Sequence, residues 1–231
     1  MDPGIASDIR GNLERVHALI ADACRRAGRP PADVLLVAVS KTVPADRVRQ
    51  AIDAGVAALG ENRVQEAKEK IETLGHPLPW HLIGHLQTNK ARDAARLFDW
   101  IHSLDRLDLA RELDRRARAA GRTLNVLIEV NLGDEPQKGG ARPDDVKPLL
   151  DAVAKLDALS VRGLMAIPPA AADPEETRPY FRRLRELRDA AGLEHLSMGM
   201  SADFQVAIEE GATMVRVGTA IFGARPPRVE G

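Results

Sequence analysis

A single cysteine, Cys24, is the whole thiol inventory of this chain, so an internal disulfide is excluded and a reducing compartment is implied. Cys24 falls in an amphipathic helical pattern, where packing is its expected role. An excess of charge of either sign is also missing. Lys and Arg total 33 against 34 Asp and Glu, a net charge of -1, which leaves no basic footprint for nucleic acid or an anionic membrane surface. No apolar run reaches the roughly 18 residues of a membrane span, and no secretory signal is visible, so a cytoplasmic protein is expected. Short catalytic signatures are absent too: there is no GxSxG, P-loop or CxxC, and no GxGxxG follows the first apolar run.

What the sequence does contain is 231 residues, 44 % of them hydrophobic, enough to bury one sizeable core and read here as one domain over 1–231. Eight short runs rich in Val, Ile and Leu recur between helical patterns. They are VLLVAVS ending at Ser40, VAALGEN at Asn62, WHLIG at Gly84, WIHSLD at Asp105, LNVLIEVN at Asn131, VRGLMAIP at Pro168, EHLSMGM at Met200 and TMVRVGTAIF at Phe222. Helical spacing covers Asn62 to Leu74 and Pro174 to Ala191, with a further helix from Ile5 to Gly28 ahead of the first strand. Ser201 reads as the N-cap of a helix over ADFQVAIEEG, stopped at Gly211. Strand and helix in alternation, eight times, predict an α/β fold: a (β/α)8 TIM-type barrel with an extra N-terminal helix. GARPPRVEG at the end reads as a short tail.

Functional groups of such a barrel sit at the C-terminal ends of its strands, and here those ends are polar: Lys41, Asn62, Ser103, Asn131, Ser201 and Thr219. Lys41 ends a fully apolar strand. Either it reaches solvent, or its aliphatic surroundings lower its pKa from ~10.4 and make the neutral amine a nucleophile fit for Schiff-base formation. LSMGMSADF and VRVGTAIFG place Gly199, Ser201, Gly218 and Thr219 after strands 7 and 8, the usual phosphate-binding corner of a barrel. The alternative is that both glycines serve turns and that Ser201 only caps its helix. Strand alternation turns Arg216 to the same face as Gly218, into the barrel. There it either donates to a ring nitrogen such as that of pyridoxal phosphate or pairs with a strand carboxylate such as Glu129. His81 and His85 lack a carboxylate at zinc-ligand spacing, and no metal is expected. The run RPYFRRLRELR reads as the solvated side of a helix.

Taken in order, VAVSKTVP, ALGENRVQEA, WHLIGHLQTNK, GLMAIPP, LSMGMSADF and MVRVGTAIFG resemble the YggS/PROSC family of pyridoxal-phosphate homeostasis proteins over nearly the whole chain. The resemblance implies the barrel of the alanine racemase N-terminal domain, pyridoxal 5'-phosphate (PLP) held as an internal aldimine, and no established catalytic turnover. It makes Lys41 the aldimine lysine, Ser201, Gly218 and Thr219 the phosphate site, and Arg216 the partner of the ring nitrogen. Asn62 is placed near the ring. The implied partners are PLP and apo PLP-dependent enzymes, with the chain a monomer.

The alternative function is an amino-acid racemase or lyase. Alanine racemases add a β-rich domain whose tyrosine serves as second base, whereas the one tyrosine here, Tyr180, belongs to a helix expected outside the barrel. That favours the carrier. The polar loop LGDEPQKGG after strand 5 places Lys138 at the same mouth, either in contact with the phosphate or aldehyde during loading or simply solvated.

Overall fold

A computed structural model describes residues 8–135 and 138–223. Eight parallel strands close into a barrel in strict chain order. They are β1 Leu35–Val39, β2 Ala58–Glu61, β3 Trp80–Leu82, β4 Trp100–Leu104, β5 Leu124–Glu129, β6 Leu159–Met165, β7 His195–Ser197 and β8 Met214–Val217. The ring closes through β1 on β8, with Leu35 opposite Met214 and Val37 opposite Arg216. The α-helices among the described residues are α1 Ile9–Arg26, α2 Ala45–Asp53, α3 Val64–Leu74, α4 Ala91–Leu97, α5 Leu107–Ala119, α6 Val146–Val153, α7 Arg178–Ala190, α8 Phe204–Glu209 and α9 Thr219–Phe222.

The leading helix α1 buries Ile9, Asn12, Leu13, Val16, Ile20, Ala23 and Cys24, three or four residues apart, which is the stripe a helix needs to lie on a core. Asn12 fastens it to α9 by donating to the carbonyl of Ile221 at 2.8 Å. Residues 5–7 of the expected helix, and residues 224–231 of the expected tail, lie outside the described residues. On α7, Arg182 and Arg183 are exposed as their pattern suggests, while Arg178, Arg185 and Arg188 are half-buried. Arg178, Arg182 and Arg185 converge on the buried carboxylate of Glu210, just past α8, and cross-link the two helices. Among the described residues no helix is long and apolar enough to cross a membrane.

Inside the barrel, alternation sends every second side chain inward and stacks them in layers. The lowest layer is apolar, with Leu127, Met165 and Met214 packed against Leu35 and Trp100. One step up along the strands the interior is polar instead, with His81, His102, Ser197 and Arg216 all buried. The top layer opens to the outside at the C-terminal mouth.

Two expectations from sequence change here. The last apolar run is not one strand: β8 stops at Val217, and TAIF is helical as α9 because the backbone turns at Gly218 (φ -118°, ψ -72°). Nor does Ser201 cap its own helix. The N-cap of α8 is Asp203, whose carboxylate accepts from the Met200 amide at 2.7 Å, so Ser201 is left in the preceding turn and free to face β8.

Candidate functional site

A cavity of about 270 Å³ lies at the C-terminal mouth between β1, β2, β7 and β8. Val39, Ile83, Ile167, Met200 and Phe222 form its apolar walls, while Lys41, Asn62, Ser201, Arg216, Gly218 and Thr219 supply its polar lining. Six of the seven residues singled out from sequence therefore meet in one place.

Lys41 sits two residues beyond β1, half-buried, on the inward side that Leu35, Val37 and Val39 establish. Asn62 follows β2, and its Oδ1 is buried without a hydrogen-bond partner. Opposite them, the Ser201 hydroxyl accepts weakly from the backbone amides of Gly218 and Ala220, at 3.4 and 3.5 Å, which draws the turn after β7 onto the start of α9. A side chain at Gly218 would be crowded, since a Cβ there would lie 3.1 Å from the carbonyl oxygen of Val39. Gly199, the seventh residue, does not line the cavity. It stands behind it in a left-handed conformation (φ 89°), where a Cβ would fall 2.6 Å from that of Ala207, and its carbonyl accepts from the Arg216 amide at 3.0 Å. Its role is packing of the wall. Of the other strand-end candidates, Ser103 donates to the Gly84 carbonyl at 2.7 Å and Asn131 holds Glu135 of its own loop, so neither reaches the cavity.

Arg216 is buried to 3 % exposure, and burial pulls its pKa down to about 10 against the opposing pull of Glu129 and Asp203; it stays charged at neutral pH. Its guanidinium donates to Ser197 Oγ at 2.7 Å and to the Ala166 carbonyl at 3.0 Å. The alternative ion pair with Glu129 is not formed within 4 Å. Glu129 keeps one buried oxygen without a partner, and burial together with Asp105 pushes its pKa up to about 7.

Behind Arg216 runs a buried chain that sequence reasoning missed. Arg216 can only donate, so Ser197 Oγ accepts from it, and the same hydroxyl is hydrogen-bonded to His102 Nδ1 at 2.9 Å. His102 Nε2 is hydrogen-bonded in turn to His81 Nδ1 at 2.9 Å, and His81 Nε2 is buried without a partner. Both rings are neutral: burial takes His81 down to about 3 and His102 well below its ordinary value. The only trace in the sequence is a His or Ser at an inward position of an otherwise apolar strand. His81 and His85 are thus in different places, His85 being largely exposed beside Asp105, and no cluster among the described residues could hold a metal ion.

Lys138 also stays out of the cavity. It pairs with Glu135 at 2.5 Å and donates to the Pro168 carbonyl at 3.3 Å, pinning the loop after β5 to the loop after β6. Residues 136 and 137 of that loop lie outside the described residues. Tyr180, half-buried on α7 outside the barrel, does not line the cavity either.

The family model described as alanine racemase, N-terminal domain, matches residues 12–226. A pyridoxal phosphate homeostasis protein of Aquifex aeolicus is 50 % identical over 220 residues, covering 92 % of this chain and 96 % of its own length. The chain belongs to the pyridoxal phosphate homeostasis protein family. A family member from Escherichia coli is 47 % identical over 231 residues, with 95 % and 97 % coverage. Among solved structures, PipY of Synechococcus elongatus PCC7942 with PLP bound superposes with a TM-score of 0.82 at 40 % identity, covering 94 % of this chain and all of PipY. An alanine racemase of Clostridium difficile shares the fold of the homeostasis proteins at 19 % identity and a TM-score of 0.70, but this chain covers only 57 % of it.

Proposed function

We propose that this chain binds pyridoxal 5'-phosphate in the mouth cavity and serves in its homeostasis as a cytoplasmic, monomeric carrier that supplies apo PLP-dependent enzymes without turnover of its own. One observation carries the reading: a primary amine, a buried permanent donor and a small-residue corner with hydroxyls converge on one cavity. The groups suit the cofactor. Lys41 offers the amine, Ser201 and Thr219 offer hydroxyls to phosphate oxygens, and Gly218 lets the backbone come close where a Cβ would intrude. Asn62 brings a buried oxygen that lacks a partner, and Arg216 a guanidinium that donates to an unprotonated ring nitrogen. The volume is near the roughly 300 Å³ at which small-molecule pockets begin. Bound PLP supplies an aldehyde whose carbon condenses reversibly with a primary amine, forming C=N and releasing the oxygen as water.

The residues themselves favour holding over turnover. Arg216, charged and fixed by Ser197 and Ala166, cannot hand a proton to the ring nitrogen and so leaves the cofactor a weak electron sink. A racemase needs a base on each face of its substrate, and Tyr180 is outside the barrel. Borohydride reduction after PLP loading, followed by peptide mapping, tests the assignment: the label belongs on Lys41 and disappears in Lys41→Ala. Labelling of another lysine as the major site in the unaltered chain refutes it.

A further inference from the structure

The turn that presents Lys41 contains Thr42 at φ 62°, a left-handed conformation that a β-branched residue adopts only under constraint. The turn is closed by the Val43 amide, which donates to the Ser40 carbonyl at 2.9 Å, and is braced from outside by three charged side chains on β2 and α3. Lys70, buried on α3, spends its three ammonium protons on the Ser40 carbonyl at 2.5 Å, Glu61 Oε1 at 2.6 Å and Glu66 Oε1 at 2.8 Å. Glu61, fully buried at the end of β2, also accepts from the Ser40 hydroxyl at 2.6 Å. Glu66 Oε1 accepts from the Thr42 amide as well. The peptide unit before Lys41 is thus held through its carbonyl by Lys70, and the unit after it through its N–H by Glu66. Both torsions of Lys41 are clamped from outside the cavity, although Lys70 and Glu66 do not line it.

We infer that Glu61, Lys70 and Glu66 form a positioning cluster that aims the Lys41 amine into the cavity. The inference rests on the reading of Lys41 as the amine that takes the cofactor. A lysine side chain has four rotatable bonds, and fixing its backbone origin removes part of the search before the amine meets the aldehyde. The strained Thr42 conformation is offset by the hydrogen bonds that this turn makes with the buried Lys70 and Glu61 and the half-buried Glu66.

The test uses the full chain freed of cofactor. Stopped-flow mixing with pyridoxal 5'-phosphate reads covalent attachment, while titration with pyridoxine 5'-phosphate, which carries an alcohol in place of the aldehyde, reads the phosphate and ring contacts alone. Lys70→Met strands the buried Glu61 and threatens folding, so Glu66→Ala, which leaves Lys70 and Glu61 paired, is the informative variant. Its attachment rate should fall by between about tenfold and about a hundredfold, the loss typical of a misplaced reacting group, with pyridoxine 5'-phosphate affinity unchanged. Glu66→Gln keeps the accepting oxygen and should recover most of the rate. A full attachment rate in Glu66→Ala, or a matching loss of pyridoxine 5'-phosphate affinity, overturns the positioning role. Lys41→Ala measured alongside separates the two failures: attachment that persists in it removes the reading of Lys41 and this inference together, whereas attachment lost there but intact in Glu66→Ala removes the inference alone.

Discussion

Replacing Gly199 by alanine tests whether the wall behind the cavity is as tight as the geometry says. Two costs add. Gly199 has φ 89°, and putting an L side chain into left-handed backbone costs about 1–2 kcal/mol. The new Cβ would also stand 2.6 Å from the Cβ of Ala207 and 2.8 Å from the Cα of Phe204, both on α8, so the helix has to retreat; overpacking of this kind costs a further ~1–3 kcal/mol. Gly192→Ala supplies the control. Gly192, just past α7, also has positive φ (64°) but nothing within 4 Å of its would-be Cβ, so it carries the conformational cost alone. Urea denaturation of both variants should therefore show Gly199→Ala less stable than Gly192→Ala by the steric share, ~1–3 kcal/mol. Because the turn holding Ser201 lies between Gly199 and α8, Gly199→Ala should also weaken PLP binding while Gly192→Ala does not. Equal destabilisation by the two, with unchanged PLP affinity, would refute the claim that Gly199 shapes the cavity wall.

Ser201→Ala removes a hydroxyl from the phosphate corner and should weaken affinity for pyridoxine 5'-phosphate by roughly tenfold, about the net worth of one hydrogen bond to a charged group, measured by fluorescence titration. Lys138→Ala breaks the tie from the loop after β5 to Pro168 and, as Lys138 lies off the cavity, should leave PLP association and release rates as they were in stopped flow. Stability should depend on pH in two opposite senses. Glu129, raised from 4.5 to about 7, keeps a proton in the folded chain that the unfolded chain has lost between those values, so its contribution is full below pH 4.5 and drains away as pH rises through 7. His81, lowered from 6.5 to about 3, refuses a proton that the unfolded chain accepts, so its contribution is full above pH 6.5 and is lost as pH falls, by up to about 1.4 kcal/mol per unit. Urea midpoints of Glu129→Gln from acid to neutral pH should accordingly lose the decline on the alkaline side, and an unaltered profile would disprove the buried protonation.

Much of this protein was legible in one dimension because a parallel barrel writes each strand as a short apolar run and each helix as a spaced stripe. Lys41, Asn62, Ser201 and Thr219 could be read as site residues because they are polar residues directly after such runs, and Arg216 because period-two alternation carries it inward with Gly218. Other features depended on neighbours distant in sequence. TAIF is as apolar as a strand, and only the backbone turn at Gly218 makes it the helix α9. Ser201 satisfies every rule for a cap, yet Asp203 takes that place and turns the hydroxyl toward β8. Glycine at 199 is consistent with a turn or a phosphate contact, and the approach of Ala207 and Phe204 decides for packing. The chain from Arg216 through Ser197 and His102 to His81 spans up to 135 residues, and the clamp on Lys41 joins Ser40, Thr42, Glu61, Glu66 and Lys70; neither has a sequence signature. Local pattern determines which way a side chain points along its own strand or helix, whereas the partner of a buried polar group is set by barrel closure and register, which bring residues from different strands to the same height.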